Sequence, residues 1–277
     1  MKFRTEIEPG KSAPISHDDT LLMLGSCFTT NIGEQLLIDG FNAVVNPTGV
    51  LYNPASIAAM LNRAMKRSHY TPDDLFLDND GTFHALDFPN NRRSTDAPTL
   101  LRTINEELDT LSQALERCTT LIITFGTAHI FERADNAQVV GNCHKLPAAM
   151  FNRRRMSVDE IVELWSPMTN SCRVIFTVSP IRHLADGLHG NTLSKATLLL
   201  ATDTLCGLGA EYFPSYEIMM DDLRDYRFYA PDMKHPSEVA VKYIYESFRS
   251  RYFSPSTEKI AEENRKNHIH SQHRPLL

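Results

Sequence analysis

The sequence predicts an α/β fold: a mainly parallel sheet covered by helices on both faces, carrying two β-hairpin insertions. Three observations predict it. Short, nearly continuous apolar runs recur along the chain, stretches of helical periodicity separate them, and two alternating segments built around turn residues interrupt the series. A short run that is apolar throughout marks a strand buried on both faces, as parallel strands between helical layers are. Its alternation with helices argues for a parallel sheet.

The elements follow in order. "TLLMLG" (20–25) reads as the first strand, followed by a helix over 31–39 that starts near residue 28. "NAVVNP" (42–47) is the second strand and 54–67 the next helix. "DLFLDNDGTFHALDF" (74–88) alternates around Asp80-Gly81, a strong hairpin signal, and sets an insertion over about 72–90. A helix over 98–116 leads to the third strand, "TLIITFG" (120–126). "HIFERADNAQVVGNCHKLP" (129–147) reads as the second hairpin, turning near Asp135-Asn136. Arg153-Arg154-Arg155 reads as the solvated start of the helix at 157–165. "RVIFTVSP" (173–180) is the fourth strand, 191–205 a helix, "SYEIMM" (215–220) the fifth strand and 237–250 the last long helix.

Neither hairpin can bury a core alone, so one domain over 1–252 is expected. The 253–277 extension is polar, and its final dozen residues read as a mobile tail. His268, His270 and His273 in it read as solvated rather than as metal ligands.

With 277 residues, 42% hydrophobic and 22% charged, the chain suffices for one large core. A net charge of −6 gives no sign of a nucleic-acid or membrane-surface binder. No window approaches the roughly 18 apolar residues of a membrane span. "MKFRTEIEPGKSAP" lacks the apolar stretch of a secretory signal. The five cysteines are scattered without a C-x-x-C pair, so neither a disulfide framework nor a zinc ribbon is expected. A reducing cytoplasm, in which a thiol is free to react, is the expected location.

In open parallel sheets, ligands bind beyond the carboxyl ends of the strands. Those ends carry Gly25-Ser26-Cys27, Asn46-Pro47-Thr48-Gly49, Gly126-Thr127-Ala128-His129 and Ser179-Pro180-Ile181-Arg182-His183. The fifth is followed by "DDLRDYRFYAPDMKHPSEVAVKY", which holds Asp232 and His235. Pro236 suits a first helical position and Glu238 a positive first turn, so His235 reads as an imidazole at a helix N-terminus, biased toward the neutral form a general base needs. Asp232 can orient that ring through its Nδ1–H. The plainer alternative is a cap residue and a turn former.

These residues resemble a known family. "GSCF", "NPTGVLYNP", "TFGTAHIFE", "NCHKLP", "VSPIRHLADG", "SKATLLLA" and "YFPSYEIMMDDLRDYRFYAPDMKHPSEVA" match the pattern of the GSCFA-domain family within the SGNH (GDSL-type) hydrolase superfamily. Thr29 stands where that family usually has alanine. The resemblance implies a three-layer α/β/α, flavodoxin-like domain and an esterase, deacetylase or acyltransferase with a nucleophile–His–Asp triad.

Laid on "LGSCFT", the superfamily motif puts Cys27 at the nucleophile position and Ser26 one residue before it. Cys27 leads because a thiol at a helix start feels the positive dipole end; Ser26 is the alternative, or a helix cap. The likeness implies oxyanion donors at the backbone N–H groups of Cys27 and Gly49. The usual third donor, an Asn in Gly-x-Asn after the third strand, is missing, and Asn142 or His129 is the expected substitute. His129, Arg182 and His183 are candidate substrate contacts. Arg224 and Tyr226 read as pocket lining or packing, and Lys195 as a surface position. Cys143 and His144 lack spaced partners for a metal.

The expected function is therefore an SGNH-type acyl-ester hydrolase or acyltransferase using Cys27 (or Ser26), His235 and Asp232. It would act on a small acylated substrate, with acylated carbohydrate suggested by superfamily analogy. No cofactor, metal, nucleic acid or membrane partner is expected. The alternative is a ligand-binding protein that has lost turnover. A nucleotide binder is disfavoured because no Gly-rich phosphate loop is present.

Overall fold

The computed structural model describes residues 5–8, 10–170 and 172–272. β1 (Thr20–Gly25) leads into α1 (Cys27–Ile38), β2 (Asn42–Val45) and α2 (Pro54–Met65). Three short strands follow, β3 (Phe76–Leu77), β4 (Phe83–His84) and β5 (Arg93–Ser94), and then α3 (Ala97–Arg117) and β6 (Thr120–Phe125). β7 (His129–Arg133), β8 (Val139–Val140) and β9 (Phe151–Arg155) precede α4 (Val158–Trp165), β10 (Arg173–Val178), α5 (Gly187–Gly207) and β11 (Glu211–Phe213). One helical turn, α6 (Ser215–Glu217), runs into a π-helix over Ile218–Leu223, and α7 (Glu238–Tyr252) and α8 (Pro255–Gln272) complete the described chain.

The main sheet is five-stranded and parallel, ordered β11-β10-β6-β1-β2. In order of appearance that is 2-1-3-4-5, so connections leave in opposite directions from β1 and β6, the point at which open sheets of this order place a ligand crevice.

Alternation along each strand explains the apolar runs. Leu21, Met23, Ile122 and Ile175 face one layer, made by Phe28, Ile32 and Leu36 of α1, Ile244, Phe248 and Tyr252 of α7 and Ala261 of α8. Leu22, Leu24, Ile123 and Phe176 face the other, made by residues of α2 to α5 including Ile57, Ile104, Trp165 and Leu198. With both faces covered, the central strands have few solvent-facing positions to alternate with, and Thr120, Thr124 and Thr177 in them are buried. Among the described residues, no helix is long and apolar enough to cross a membrane.

Several expectations are corrected. Each predicted hairpin is a three-stranded antiparallel sheet: β5 adds to β3–β4 and β9 to β7–β8. Both added strands lie beyond the ranges 72–90 and 129–147. Arg153-Arg154-Arg155 is therefore strand, not helix start; Arg154 pairs with Glu132 across the sheet and with Glu160. A strand held by cross-strand charge pairs shows no apolar alternation to read.

The fifth strand is β11, ahead of the expected 215–220. Pro214, with no N–H to give a ladder, stands at its end, while Ser215 Oγ donates to Val178 O (2.8 Å) and starts the helical turn that buries Ile218 and Met219. Past residue 253 the chain is helical through Gln272, so the tail expected over 266–277 begins inside α8, and His273 lies outside the described residues.

Candidate functional site

At the end of β1, Gly25 adopts φ +139°, and a Cβ there would stand 2.2 Å from Thr124 O of β6. Only glycine lets the two strand ends pass this closely. Ser26 is fully buried, and its Oγ accepts the Phe28 N–H (3.2 Å) as the N-cap of α1. Cys27 is the first helical residue. Its backbone N–H belongs to the donors a helix leaves without an internal partner, and no acidic side chain stands in this first turn.

The loop after β2 folds against this turn. Asn46 accepts the Gly25 N–H on Oδ1 (2.9 Å) and donates from Nδ2 to Thr30 Oγ1 (3.1 Å). Gly49, at φ +83° against Pro89, donates its N–H to Asn46 O (2.8 Å). The amide expected at the oxyanion is thus engaged within the turn. The Leu51 N–H then reaches Gly25 O (3.2 Å), and Tyr52 O accepts the N–H groups of Gly126 (2.7 Å) and Thr127 (3.0 Å). These bonds carry the Tyr52 ring to the β1/β6 crevice, where Oη shares a hydrogen bond of 3.4 Å with Cys27 Sγ. Burial first, then the hydrogen bond and charge of Cys27, push the phenol above its ordinary range.

His183 meets Tyr52 edge-on, ring centroids 5.6 Å apart. Its backbone N–H donates to Asn191 Oδ1 (2.9 Å), while ring Nε2 is buried without a hydrogen-bond partner. Burial, then the charges of Lys195, His235, Arg153 and His129, push this imidazole down to about 3. Lys195 is 1% exposed, not a surface residue as the sequence suggests. Its Nζ donates to Gly126 O and Ser179 O, each at 2.6 Å, and so ties the ends of β6 and β10 together. Burial lowers this ammonium to about 7.

Asp232 and His235 form the expected pair, with His235 Nδ1 to Asp232 Oδ2 at 2.5 Å. The other carboxylate oxygen accepts the backbone N–H groups of Lys234 (2.9 Å) and His235 (3.0 Å). The His235 N–H first, then its ring and the Lys234 N–H, hold Asp232 well below the usual carboxylate range. The loop is stitched to the end of β10 by Arg182 N–H to Lys234 O (3.1 Å). One detail differs from expectation: Ser237 is the N-cap of α7, with its Oγ accepting the Ala240 N–H (3.3 Å). His235 therefore precedes the helix and falls outside the turn over which the dipole end acts.

Among the described residues no hydrogen bond joins Cys27 Sγ to His235. From Cys27 the contacts run to Tyr52 and on to His183, whose imidazole feels the charge of His235. His129 lies 3.5 Å from Asp186, which also pairs with Arg153; burial, then Arg153 and Arg155, lower its ring. The Arg182 guanidinium sits 4.0 Å above the Tyr229 ring and 5.4 Å from that of Tyr226. Asn142 is a turn residue, its Oδ1 accepting the His144 N–H (2.9 Å) and its own N–H bonded to Leu86 O (3.1 Å). His144 bonds Phe88 O (3.0 Å), and no group of three metal-binding side chains occurs among the described residues.

Sequence reasoning missed two residues. Tyr52 lies in the same post-strand loop as Gly49, so strand-end logic carried three residues further finds it. Lys195 shares the buried stripe of α5 with Asn191, Leu198 and Thr202, and that helical spacing was the available signal.

Fold and site together define a parallel α/β protein with a cysteine, backed by a phenol and an imidazole, at the sheet's switch point. The chain belongs to the GSCFA family, whose family model matches residues 20–248, from β1 into α7. No curated protein and no solved structure matches it.

Proposed function

We propose that the protein is a thiol-dependent acyl-ester hydrolase or acyltransferase on a flavodoxin-like SGNH scaffold, with Cys27 as nucleophile and His235–Asp232 as base and orienter. The observation that carries this reading is the position of Cys27. It is a partly exposed thiol on the first residue of the helix leaving β1 at the crevice, whereas the neighbouring Ser26 hydroxyl is buried and caps the helix.

His235 takes the thiol proton, its ring held by Asp232, and the sulfur attacks an acyl carbonyl. The N–H of Cys27 faces the developing oxyanion. Collapse expels the alcohol, which takes the proton from His235, and leaves a thioester that water or an acceptor hydroxyl then cleaves. A small acyl group on a carbohydrate is the substrate class suggested by superfamily analogy.

The test is hydrolysis of p-nitrophenyl acetate, with intact-mass detection of the acyl-enzyme. Cys27→Ala and His235→Ala are expected to abolish turnover. Ser26→Ala keeps it and loses about 1 kcal/mol of stability with the cap. Full activity in Cys27→Ala combined with loss in Ser26→Ala would reverse the nucleophile assignment.

A second reading, a binding protein without turnover, is favoured by two observations: Sγ is bonded to a phenol, and the Gly49 amide is engaged elsewhere. Under it the wild type shows no acyl-enzyme and no Cys27-dependent rate.

A further inference from the structure

The thiol has a neighbour with no role in the mechanism so far. Tyr52 Oη touches Cys27 Sγ at 3.4 Å. Two of the donors expected for an oxyanion at this sulfur do not serve. The Gly49 N–H is bonded to Asn46 O, and Ala128 stands where a side-chain amide would follow β6. A second donor beside the Cys27 N–H matters, because the loss of one oxyanion donor lowers a rate by about 100- to 1000-fold.

We infer that Tyr52 is a catalytic residue, its hydroxyl donating the hydrogen bond that holds the oxyanion formed when Cys27 attacks an acyl carbonyl; this rests on the acyl-transfer reading above. A donor already in contact with the sulfur is within reach of an oxygen on the carbon that the sulfur attacks. The ring is also fixed before reaction. Its backbone carbonyl is held by two N–H groups at the end of β6, its ring edge rests on His183, and the next residue, Asn53, caps α2 through Oδ1 (2.8 Å to Ser56 N). Such prearranged donors need no reorganisation during the reaction. A phenol raised above its ordinary value stays protonated at neutral pH and remains a donor.

In the step itself, the thiol proton goes to His235 and the sulfur pair forms the S–C bond. The carbonyl π pair moves to oxygen, where Tyr52 donates a hydrogen bond and keeps its proton. Reforming the carbonyl breaks the bond to the leaving oxygen, which receives the proton from His235.

Two reagents separate this role from others, each followed at the Cys27 peptide by mass spectrometry. p-Nitrophenyl acetate acylates the thiol through an oxyanion, whereas iodoacetamide alkylates it by displacement and forms none. Tyr52→Phe, which removes only the hydroxyl, is expected to slow acylation of Cys27 about 100- to 1000-fold and to leave alkylation essentially unchanged. The circular dichroism spectrum is expected to match the wild type. If both reactions slow together, Tyr52 sets only the reactivity of the thiol, and the inference is overturned. Unchanged rates in both also overturn it. A wild-type Cys27 that alkylates but is never acylated sinks the acyl-transfer reading, and the role of Tyr52 with it.

Discussion

Lys195 carries the least expected chemistry of any single residue in the chain. A buried ammonium is tolerated only where its protons find acceptors, and here two carbonyls at adjacent strand ends provide them. The folded protein releases this proton at about 7, whereas the unfolded chain holds it to the ordinary value of 10.5. Between those values the unfolded state binds more protons, so stability rises with pH. Compared with Lys195→Met in urea unfolding at a series of pH values from 7 to 10, the wild type is expected to gain up to about 1.4 kcal/mol per pH unit. A difference between the two proteins that stays constant with pH would show that burial does not move this proton.

Elements at the rim of the fold are held by polar contacts rather than by apolar stripes. α8 shows this most clearly: Ala261 and Thr257 are its buried residues, and it lies beyond residue 248, where the family match ends. It docks on Asp39 at the end of α1, a carboxylate 1% exposed that accepts from Tyr245 Oη and Arg265 Nη1, each at 2.6 Å. Asn264 Nδ2 adds a bond to Asp39 O (2.9 Å). Arg265→Ala leaves the buried carboxylate without the guanidinium that pairs with it and is expected to cost about 2 kcal/mol in urea unfolding. A loss below a few tenths of a kcal/mol would mean that α8 is held without this pair.

Across the whole molecule, one sheet joins two helical layers. Phe125, Trp165 and Phe176 pack within 5.2–5.5 Å of one another on one side, and Phe213, Phe248 and Tyr252 cluster on the other. Because adjacent residues of each central strand belong to opposite layers, neither layer can lose its packing without disturbing the strand they share. Phe176→Ala and Phe248→Ala should each cost about 3–5 kcal/mol. Both should shift one midpoint, seen alike by fluorescence of Trp165, the only tryptophan, and by far-UV circular dichroism. Two separated midpoints would show that the layers unfold independently.

Local chemistry made much of this legible from residues alone. β1, β6 and β10 announce themselves because burial on both faces demands apolar side chains throughout, and Asp80-Gly81 marks its turn because Gly81 takes φ +77°. Strand-end reasoning likewise singled out Cys27, Asp232, His235, Arg182 and His183 as candidates without coordinates. Other features depended on partners distant in the chain. β5 and β9 exist through pairing, β11 is a three-residue edge strand, α8 docks through polar contacts, and Tyr52 and Lys195 acquire meaning from atoms 25 and 69 residues away. Periodicity records which face of an element is dry, and that the sequence determines by itself. Which polar atoms meet in the crevice is decided only by the tertiary structure, because a hydrogen bond or a buried charge depends on angstrom-scale distances between segments that one-dimensional pattern does not encode.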